Sequence, residues 1–185
     1  IKMPTPVARK RIEDRVKDID QSDIDWIFVE VTGKRRSELA TLDRLSQKEY
    51  DCAMKIADKM ADGTPLQYAL GNTELYGLKL SVNKSVLIPR PETELLAEKA
   101  INLVKDKGYE NCLDICTGSG AISVSLAHYL EKSQVTGVDI SDEALKVAEK
   151  NAENILKNKK VSFFKCDVLS DLDKINKKFD VVVSN

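Results

Sequence analysis

A short glycine-containing segment carries the residues best suited to hold a ligand. The segment runs Asp114-Ile115-Cys116-Thr117-Gly118-Ser119-Gly120 and lies where an apolar strand meets a helix. Glycines let the backbone turn tightly and let a ligand approach main-chain atoms closely. The helix that follows begins with amides that lack an intrahelical acceptor, and such amides suit a carboxylate or a phosphate. The spacing therefore predicts a ligand-binding turn over residues 117–120.

Two aspartates follow the next two predicted strands. Asp139 comes at the end of the first of these, 19 residues beyond Gly120, and its carboxylate can accept both hydroxyl hydrogens of a ribose. Asp167 and Val168 follow the second, where a side chain and an amide could bracket an adenine edge. Taken alone, Asp167 is also typical of a loop or a cap. The carboxyl ends of adjacent strands meet at one edge of an open α/β sheet, where such folds bind ligands.

The elements that must position these residues follow from the periodicity of apolar side chains. Residues 1–72 predict a small N-terminal helical bundle, in which Ser46 and Glu49 have the spacing of a capping box. Residues 73–90 predict a hairpin or an extended linker. Over residues 91–185, strands alternate with helices, which predicts a partial parallel sheet with helices on both faces. The predicted fold class is α/β.

Composition and charge exclude several classes of protein. The 185 residues carry a net charge of −1, which does not resemble a polycation that binds nucleic acid directly. No apolar stretch reaches the length of a membrane span and no signal peptide precedes the first helix, so we expect a cytoplasmic protein. The four cysteines lack paired spacing and His128 is the single histidine, so we expect reduced, buried thiols and no metal site.

Two positions of the glycine segment decide which nucleoside ligand it fits. A dinucleotide-binding turn prefers glycine or alanine where this sequence has Ser123. Asp114 ahead of the turn is not needed to bind a pyrophosphate. The pattern Asp-x-x-x-Gly-x-Gly instead resembles motif I of class I methyltransferases, which have a Rossmann-like fold. This resemblance implies S-adenosylmethionine as the cofactor, with Asp114 helping to place its methionine portion.

Longer motifs resemble a single family of these enzymes. The motifs are Gly63-Thr64-Pro65-Leu66-Gln67-Tyr68-Ala69-Leu70-Gly71, Tyr76-Gly77-Leu78, Val86-Leu87-Ile88-Pro89-Arg90-Pro91-Glu92-Thr93-Glu94, Asp25-Trp26, Gly33-Lys34 and Arg36. They are similar to motifs of the HemK/PrmC family of protein-(glutamine-N5) methyltransferases, which modify peptide chain release factors. The resemblance implies that the helical domain helps hold the release factor, while the larger domain binds S-adenosylmethionine and the substrate glutamine.

The resemblance also gives roles to single residues. The turn residues Thr117, Gly118, Ser119 and Gly120 match the cofactor loop. Asp139 matches the ribose-binding acid, and Asp167 with Val168 matches the adenine-side segment. The implied substrate-binding segment consists of Pro89, Arg90, Pro91 and Glu92.

Asn185 matches the first residue of the family's Asn-Pro-Pro-Tyr motif. Its side chain and the next carbonyl are implied to accept the glutamine amide hydrogens, which aims the nitrogen lone pair at the sulfonium methyl group. The implied reaction is a direct in-line methyl transfer that depends on positioning and needs no metal. The motif stops at Asn185, so we expect an incomplete active site and no methylation by this chain alone. Turnover of a release factor by the purified chain would refute that expectation.

Two structural expectations come from departures from the family pattern. Cys116 stands where the family has the first glycine of the loop. A negative φ at this residue would accommodate its β-carbon. Even then, the β-carbon could narrow the cofactor pocket. The apolar strand at residues 181–183 has no later strand to cover it. We therefore expect an unprotected sheet edge that associates or frays near residue 180.

Two other functions stay open on the sequence. A nucleic-acid adenine N6-methyltransferase also uses an Asn/Asp-Pro-Pro-Tyr site on a planar amino group, although the near-neutral charge argues against it. A non-catalytic module that docks a partner through its helical domain is the second. Calorimetric titration with S-adenosylmethionine separates the module from either enzyme.

Overall fold

The computed structural model describes residues 2–157 and 161–185, and the chain divides into two compact units, Ile1–Leu70 and Gly71–Asn185. The predicted hairpin or linker segment lies in the second unit. Among the described residues, no helix combines the length and apolar character needed to cross a membrane.

The first unit is mainly helical and contains a small antiparallel sheet that the sequence did not predict. In chain order its elements are β1 (Lys2–Pro4), α1 (Thr5–Arg15), α2 (Gln21–Thr32), a 3₁₀ helix (Arg36–Thr41), β2 (Arg44–Ser46), α3 (Gln47–Ala61) and α4 (Leu66–Leu70). The two strands pair over three residues each, from Lys2 opposite Ser46 to Pro4 opposite Arg44. Strands this short show no readable alternation of apolar residues, which is why they were missed.

Local signals fix the helix ends of this unit. The predicted capping box is confirmed, because the Glu49 amide donates to Ser46 Oγ at 3.2 Å and the Ser46 amide donates to Glu49 Oε2 at 2.6 Å. Gly33 ends α2 with a φ of 67°, a left-handed conformation that glycine adopts without strain. Helix α1 ends at Arg15, and Asp18 then has a φ of 58°.

The second unit contains an antiparallel hairpin and a parallel sheet. In chain order its elements are β3 (Asn72–Leu75), β4 (Leu78–Ser81), α5 (Pro91–Lys107), β5 (Asn111–Ile115), α6 (Ala121–Tyr129), β6 (Gln134–Asp139), α7 (Asp142–Leu156), β7 (Val161–Lys165), a 3₁₀ helix (Leu172–Lys174) and β8 (Val181–Ser184). Strands β3 and β4 form the hairpin, and the sheet order is β7-β6-β5-β8 with every pair parallel. The α/β class and the parallel sheet are thus confirmed.

The two faces of this sheet are covered differently. Helices α5, α6 and α7 pack side by side and share one core with alternate sheet residues such as Cys112 and Val135. The intervening sheet residues, such as Leu113 and Val138, pack against apolar residues of the segment that joins β7 to β8. The prediction of helices on both faces is therefore wrong within the described residues, because that connection contains only a three-residue 3₁₀ helix.

Strand β8 lies at one end of this four-stranded sheet. Its Val181 and Val183 are buried, whereas Val182 on the other face is 56% exposed. Strand β5 beside it is mostly buried, since it pairs with neighbours on both sides. The expected association or fraying near residue 180 stays a prediction.

Candidate functional site

The glycine turn between β5 and α6 has a left-handed backbone at alternate residues. The φ angle is 58° at Cys116, 55° at Gly118 and 78° at Gly120. A Cβ on Gly120 would lie 3.1 Å from the Ala148 Cβ, so this glycine is required both by its conformation and by the close approach of α7. Gly120 therefore brings the start of α6 against α7.

Asp139 lies directly against this turn. The Gly118 amide donates to Asp139 Oδ2 at 2.8 Å, and the Ser141 amide donates to Asp139 Oδ1 at 3.0 Å. An ionised carboxylate has about four acceptor positions, so two remain after these bonds. The backbone of the turn thus fixes the orientation of the carboxylate, which keeps one acceptor position on each oxygen for a pair of hydroxyl groups.

Asp114 is buried beside the turn and holds it through hydrogen bonds. Its side chain is 1% exposed, and its Oδ2 accepts the Thr117 hydroxyl at 2.7 Å and the Ser123 amide at 3.1 Å. The Thr117 and Ser123 hydroxyls are themselves 2.8 Å apart. Burial is the largest influence on Asp114 and raises the pKa of its carboxyl from 3.8 to about 6, although the three polar contacts oppose it. Ser123 thus belongs to a polar network that a third glycine could not complete.

Gly137 of β6 leaves room for this network, and its replacement by alanine tests the packing. A Cβ there would lie 2.7 and 2.8 Å from two Phe163 ring carbons and 2.9 Å from Thr117 Oγ1. We expect Gly137→Ala to lower the free energy of unfolding by about 2 kcal/mol, measured by urea denaturation. An unhindered glycine-to-alanine change in a strand would raise stability instead. An unchanged or higher value would contradict the packing, whereas partial recovery with Phe163→Leu would support it.

An open cleft of about 260 Å³ gathers most of the predicted site residues at the carboxyl ends of the strands. This volume is close to the lower limit of roughly 300 Å³ for small-molecule sites. The residues that line it are Ser85, Val86, Leu87, Pro89, Thr93, Asp114, Cys116, Thr117, Gly118, Ser119, Ala121, Ile122, Asp139, Ser141, Ala144 and Asn185. The turn, the ribose acid implied by the resemblance and the implied substrate-binding asparagine thus share one cavity.

Asn185 is held in the cleft by a residue that the sequence did not single out. Its side-chain Nδ2 donates to Thr93 Oγ1 at 3.0 Å, and Thr93 is only 3% exposed. The engaged Nδ2 leaves Oδ1 as the hydrogen-bond acceptor of this carboxamide. Glu94, the next residue of the same motif, accepts the Tyr76 amide at 2.8 Å and so holds the turn of the β3–β4 hairpin.

Several predicted site residues do not line this cleft. Asp167 Oδ1 instead accepts a hydrogen bond from the Leu169 amide at 3.0 Å, as a residue that caps a loop does. Val168 packs against the core on the sheet face that contains Leu113 and Val138. The remaining residues precede or begin a helix and are absent from the lining: Gly120, Arg90, Pro91 and Glu92. Their predicted roles in binding stay predictions.

Cys116 departs from two expectations at once. Its φ is positive, and its thiol is exposed, as is that of Cys52, whereas Cys112 and Cys166 are buried. Partial desolvation at the wall of the cleft has the largest influence on Cys116, and the negative charges of Asp139 and Asp114 add to it, so the pKa of the Cys116 thiol is raised. The thiol is therefore a protonated, weakly nucleophilic group at neutral pH.

The strain at Cys116 can be measured by substitution. A left-handed backbone costs a non-glycine residue about 1–2 kcal/mol, and the greater freedom of glycine in the unfolded chain offsets roughly half of this. We expect Cys116→Gly to raise the free energy of unfolding by about 0.5–1 kcal/mol in urea denaturation. Cys116→Ala removes the thiol but keeps the strain, so equal stabilities for these two variants would contradict the argument.

The residues that sequence reasoning missed are those whose roles depend on distant contacts. Thr93 lies 92 positions from its partner Asn185, and Ser85 and Leu87 enter the cleft through a loop. All three residues lie in, or next to, the motif at residues 86–94 that resembles the family, and this position was the available signal. Thr93 is also a small polar residue at a buried position of α5, which was a second signal.

Comparison with known proteins agrees with this architecture. Residues 7–71 match the family model described as the PrmC N-terminal domain, and residues 105–185 match a methyltransferase domain. Among solved structures, the S-adenosylmethionine-dependent methyltransferase from Agrobacterium tumefaciens superposes with a TM-score of 0.50 at 18% identity, over 61% of this chain and 38% of that one. At this identity the likeness is one of fold alone.

Curated relatives carry a more specific name. A release factor glutamine methyltransferase of Fusobacterium nucleatum subsp. nucleatum is 46% identical over 123 residues, which cover 65% of this chain and 34% of that protein. Another, from Dictyoglomus turgidum, is 33% identical over 179 residues, or 94% of this chain and 63% of that protein. The chain thus spans less than two thirds of the length of these relatives. On both its matched domains and these relatives, the chain is similar to the PrmC family of release factor glutamine methyltransferases.

Proposed function

We propose that the protein is an S-adenosylmethionine-dependent methyltransferase that modifies the side-chain amide nitrogen of a glutamine in a peptide chain release factor. The observation that carries this proposal is the single cleft shared by Asp139, the start of α6 and Asn185. A transferase needs the donor and the acceptor within one cavity, and these residues suit the two ends of such a cavity. The names of the relatives support the release factor as substrate.

The donor half of the cleft fits a nucleoside that carries an amino acid. Asp139 keeps one acceptor position on each oxygen, which matches the two hydroxyls of a ribose. Ala121 and Ile122 line the cleft at the first turn of α6, where helix amides have no intrahelical acceptor. These amides suit a carboxylate. Bound S-adenosylmethionine would supply an electrophilic methyl group on a sulfonium centre.

The acceptor half of the cleft suits a primary amide. Because Thr93 engages Asn185 Nδ2, the Asn185 Oδ1 can accept one hydrogen of a substrate carboxamide. An amide nitrogen is a poor nucleophile, since its lone pair is delocalised into the carbonyl. Fixed acceptors that orient and polarise the NH₂ group would raise the fraction of productive approaches, which is the principal contribution expected of this chain.

Two assays test the proposal. Calorimetric titration with S-adenosylmethionine should give saturable heat with this chain. A chimera in which residues 1–185 replace the matching part of the Dictyoglomus turgidum relative should add one methyl group to a release factor glutamine, detected by peptide mass spectrometry. No heat would favour the non-catalytic module, and methylation of DNA adenine in place of glutamine would favour the nucleic-acid enzyme. Either result would overturn the proposal.

A further inference from the structure

Asn151 is a polar residue on the buried face of α7, and its side chain makes three hydrogen bonds, all to backbone atoms. It is 1% exposed. Its Oδ1 accepts the Ser81 amide at 2.7 Å, while its Nδ2 donates to the Ser81 carbonyl at 3.0 Å and to the Ser119 carbonyl at 2.8 Å. A carboxamide has two N–H donors, and both are used here. One side chain thus joins the end of β4 to the glycine turn.

The bonds to Ser81 resemble those of a neighbouring strand. Asn151 engages both the amide and the carbonyl of this residue, so it continues the pairing of β4 at the point where the hairpin ends. The adjoining Val82 amide donates to the Gly71 carbonyl at 3.1 Å, which closes the hairpin. The chain then proceeds directly into Ser85, Val86 and Leu87 on the cleft wall. The position of Ser81 therefore sets where that wall begins.

The bond to Ser119 reaches the other wall of the same cleft. Ser119 is 3% exposed and lies between Gly118, whose amide binds Asp139, and Gly120, the N-cap of α6. A buried carbonyl that loses its donor carries the full cost of its desolvation. Asn151 therefore holds the turn by donating a hydrogen bond to the Ser119 carbonyl, which accepts none from the side chains of the turn itself.

We propose that Asn151 is a positioning residue that couples the cofactor turn to the hairpin, and through the hairpin to the loop on the substrate side of the cleft. This inference rests on the proposed function, since the coupled ligand is S-adenosylmethionine. Coupling is reciprocal: a ligand that orders the turn at Ser119 also orders the backbone at Ser81, through the carboxamide that both share. A purely structural asparagine would stabilise the fold without transmitting ligand binding to Ser81.

Asn151→Asp is the informative variant. Aspartate keeps the size of the side chain and an acceptor for the Ser81 amide, but it loses both donors and sets a negative charge beside two carbonyl oxygens. We expect calorimetry to show S-adenosylmethionine bound about tenfold more weakly than by wild type. Asn154→Asp, the same change at an exposed position of α7, is the matched control and should retain the wild-type affinity.

Amide hydrogen exchange distinguishes coupling from a purely structural role, because only coupling makes exchange at Ser81 depend on the ligand. In wild type, saturating S-adenosylmethionine should slow exchange at the Ser81 amide by roughly fivefold or more. In Asn151→Asp, the ligand should still slow exchange in the turn but no longer at Ser81. The wild-type measurement stands even where the variant fails to fold.

Each outcome has a separate meaning. Wild type that binds S-adenosylmethionine without slowing exchange at Ser81 overturns the coupling and leaves the proposed function intact. An Asn151→Asp variant that keeps both the affinity and the effect at Ser81 also overturns the coupling. Wild type that gives no binding heat overturns the proposed function, and the coupling with it.

Discussion

Replacing Asp139 with alanine is expected to weaken S-adenosylmethionine binding by about 100-fold, the equivalent of roughly 3 kcal/mol. Two charge-assisted hydrogen bonds to ribose hydroxyls would be lost together, and each bond to a charged group is worth about 1.5–3 kcal/mol. The same change removes the acceptors of the Gly118 and Ser141 amides, so the turn loses its anchor as well. Isothermal titration calorimetry on the folded variant measures the affinity directly.

Two further variants separate these contributions. Asp139→Asn keeps an acceptor of the same size but loses the charge, so its affinity should lie between those of wild type and Asp139→Ala. Asp142→Asn removes a neighbouring, exposed carboxylate whose ion pair with Lys165 is worth little, and it should bind as wild type does. Wild-type affinity in Asp139→Ala would contradict the assignment of the ribose site.

Stability should fall with rising pH because of Asp114. Its carboxyl has a pKa of about 6 in the folded chain and an ordinary value of 3.8, so the folded state holds a proton that the unfolded state releases between these values. The stabilising contribution is complete below about pH 3.8 and is lost as the pH rises through about 6. A difference of about two pKa units corresponds to about 3 kcal/mol.

Asp114→Asn isolates this contribution because asparagine cannot ionise and keeps an acceptor for Thr117 and Ser123. Urea denaturation of both proteins between pH 4 and about pH 8 should show the wild-type unfolding free energy decreasing by about 2.5 kcal/mol more than that of the variant. Asp106→Asn, at an exposed position of α5, should follow wild type. Parallel profiles for wild type and Asp114→Asn would mean that Asp114 titrates normally.

The sequence predicted those features that depend on neighbours along the chain. The Ser46–Glu49 capping box is closed by residues three positions apart, so its pattern alone specifies its geometry. The position of Asp139 beside the turn followed from the topology of a parallel sheet, since consecutive strands bring their carboxyl ends together. The first feature follows from a local sequence pattern and the second from the general topology of parallel sheets.

Features that depend on packing between distant segments could not be read in this way. Thr93 and Asn185 meet only because α5 and β8 converge at the cleft. Asn151 appears in sequence as one polar residue in the apolar stripe of α7, and its two partners are 70 and 32 positions away. The positive φ of Cys116 was also unexpected. The family has a glycine at this position, but a cysteine in the sequence does not by itself indicate a left-handed backbone.

A crystal structure of this chain with S-adenosylhomocysteine tests the central claim most directly. The account predicts that both ribose hydroxyls lie within hydrogen-bond distance of Asp139 and that the amino-acid carboxylate contacts the first-turn amides of α6. The claim is contradicted by a ligand that binds elsewhere, or by one in this cleft whose ribose faces away from Asp139.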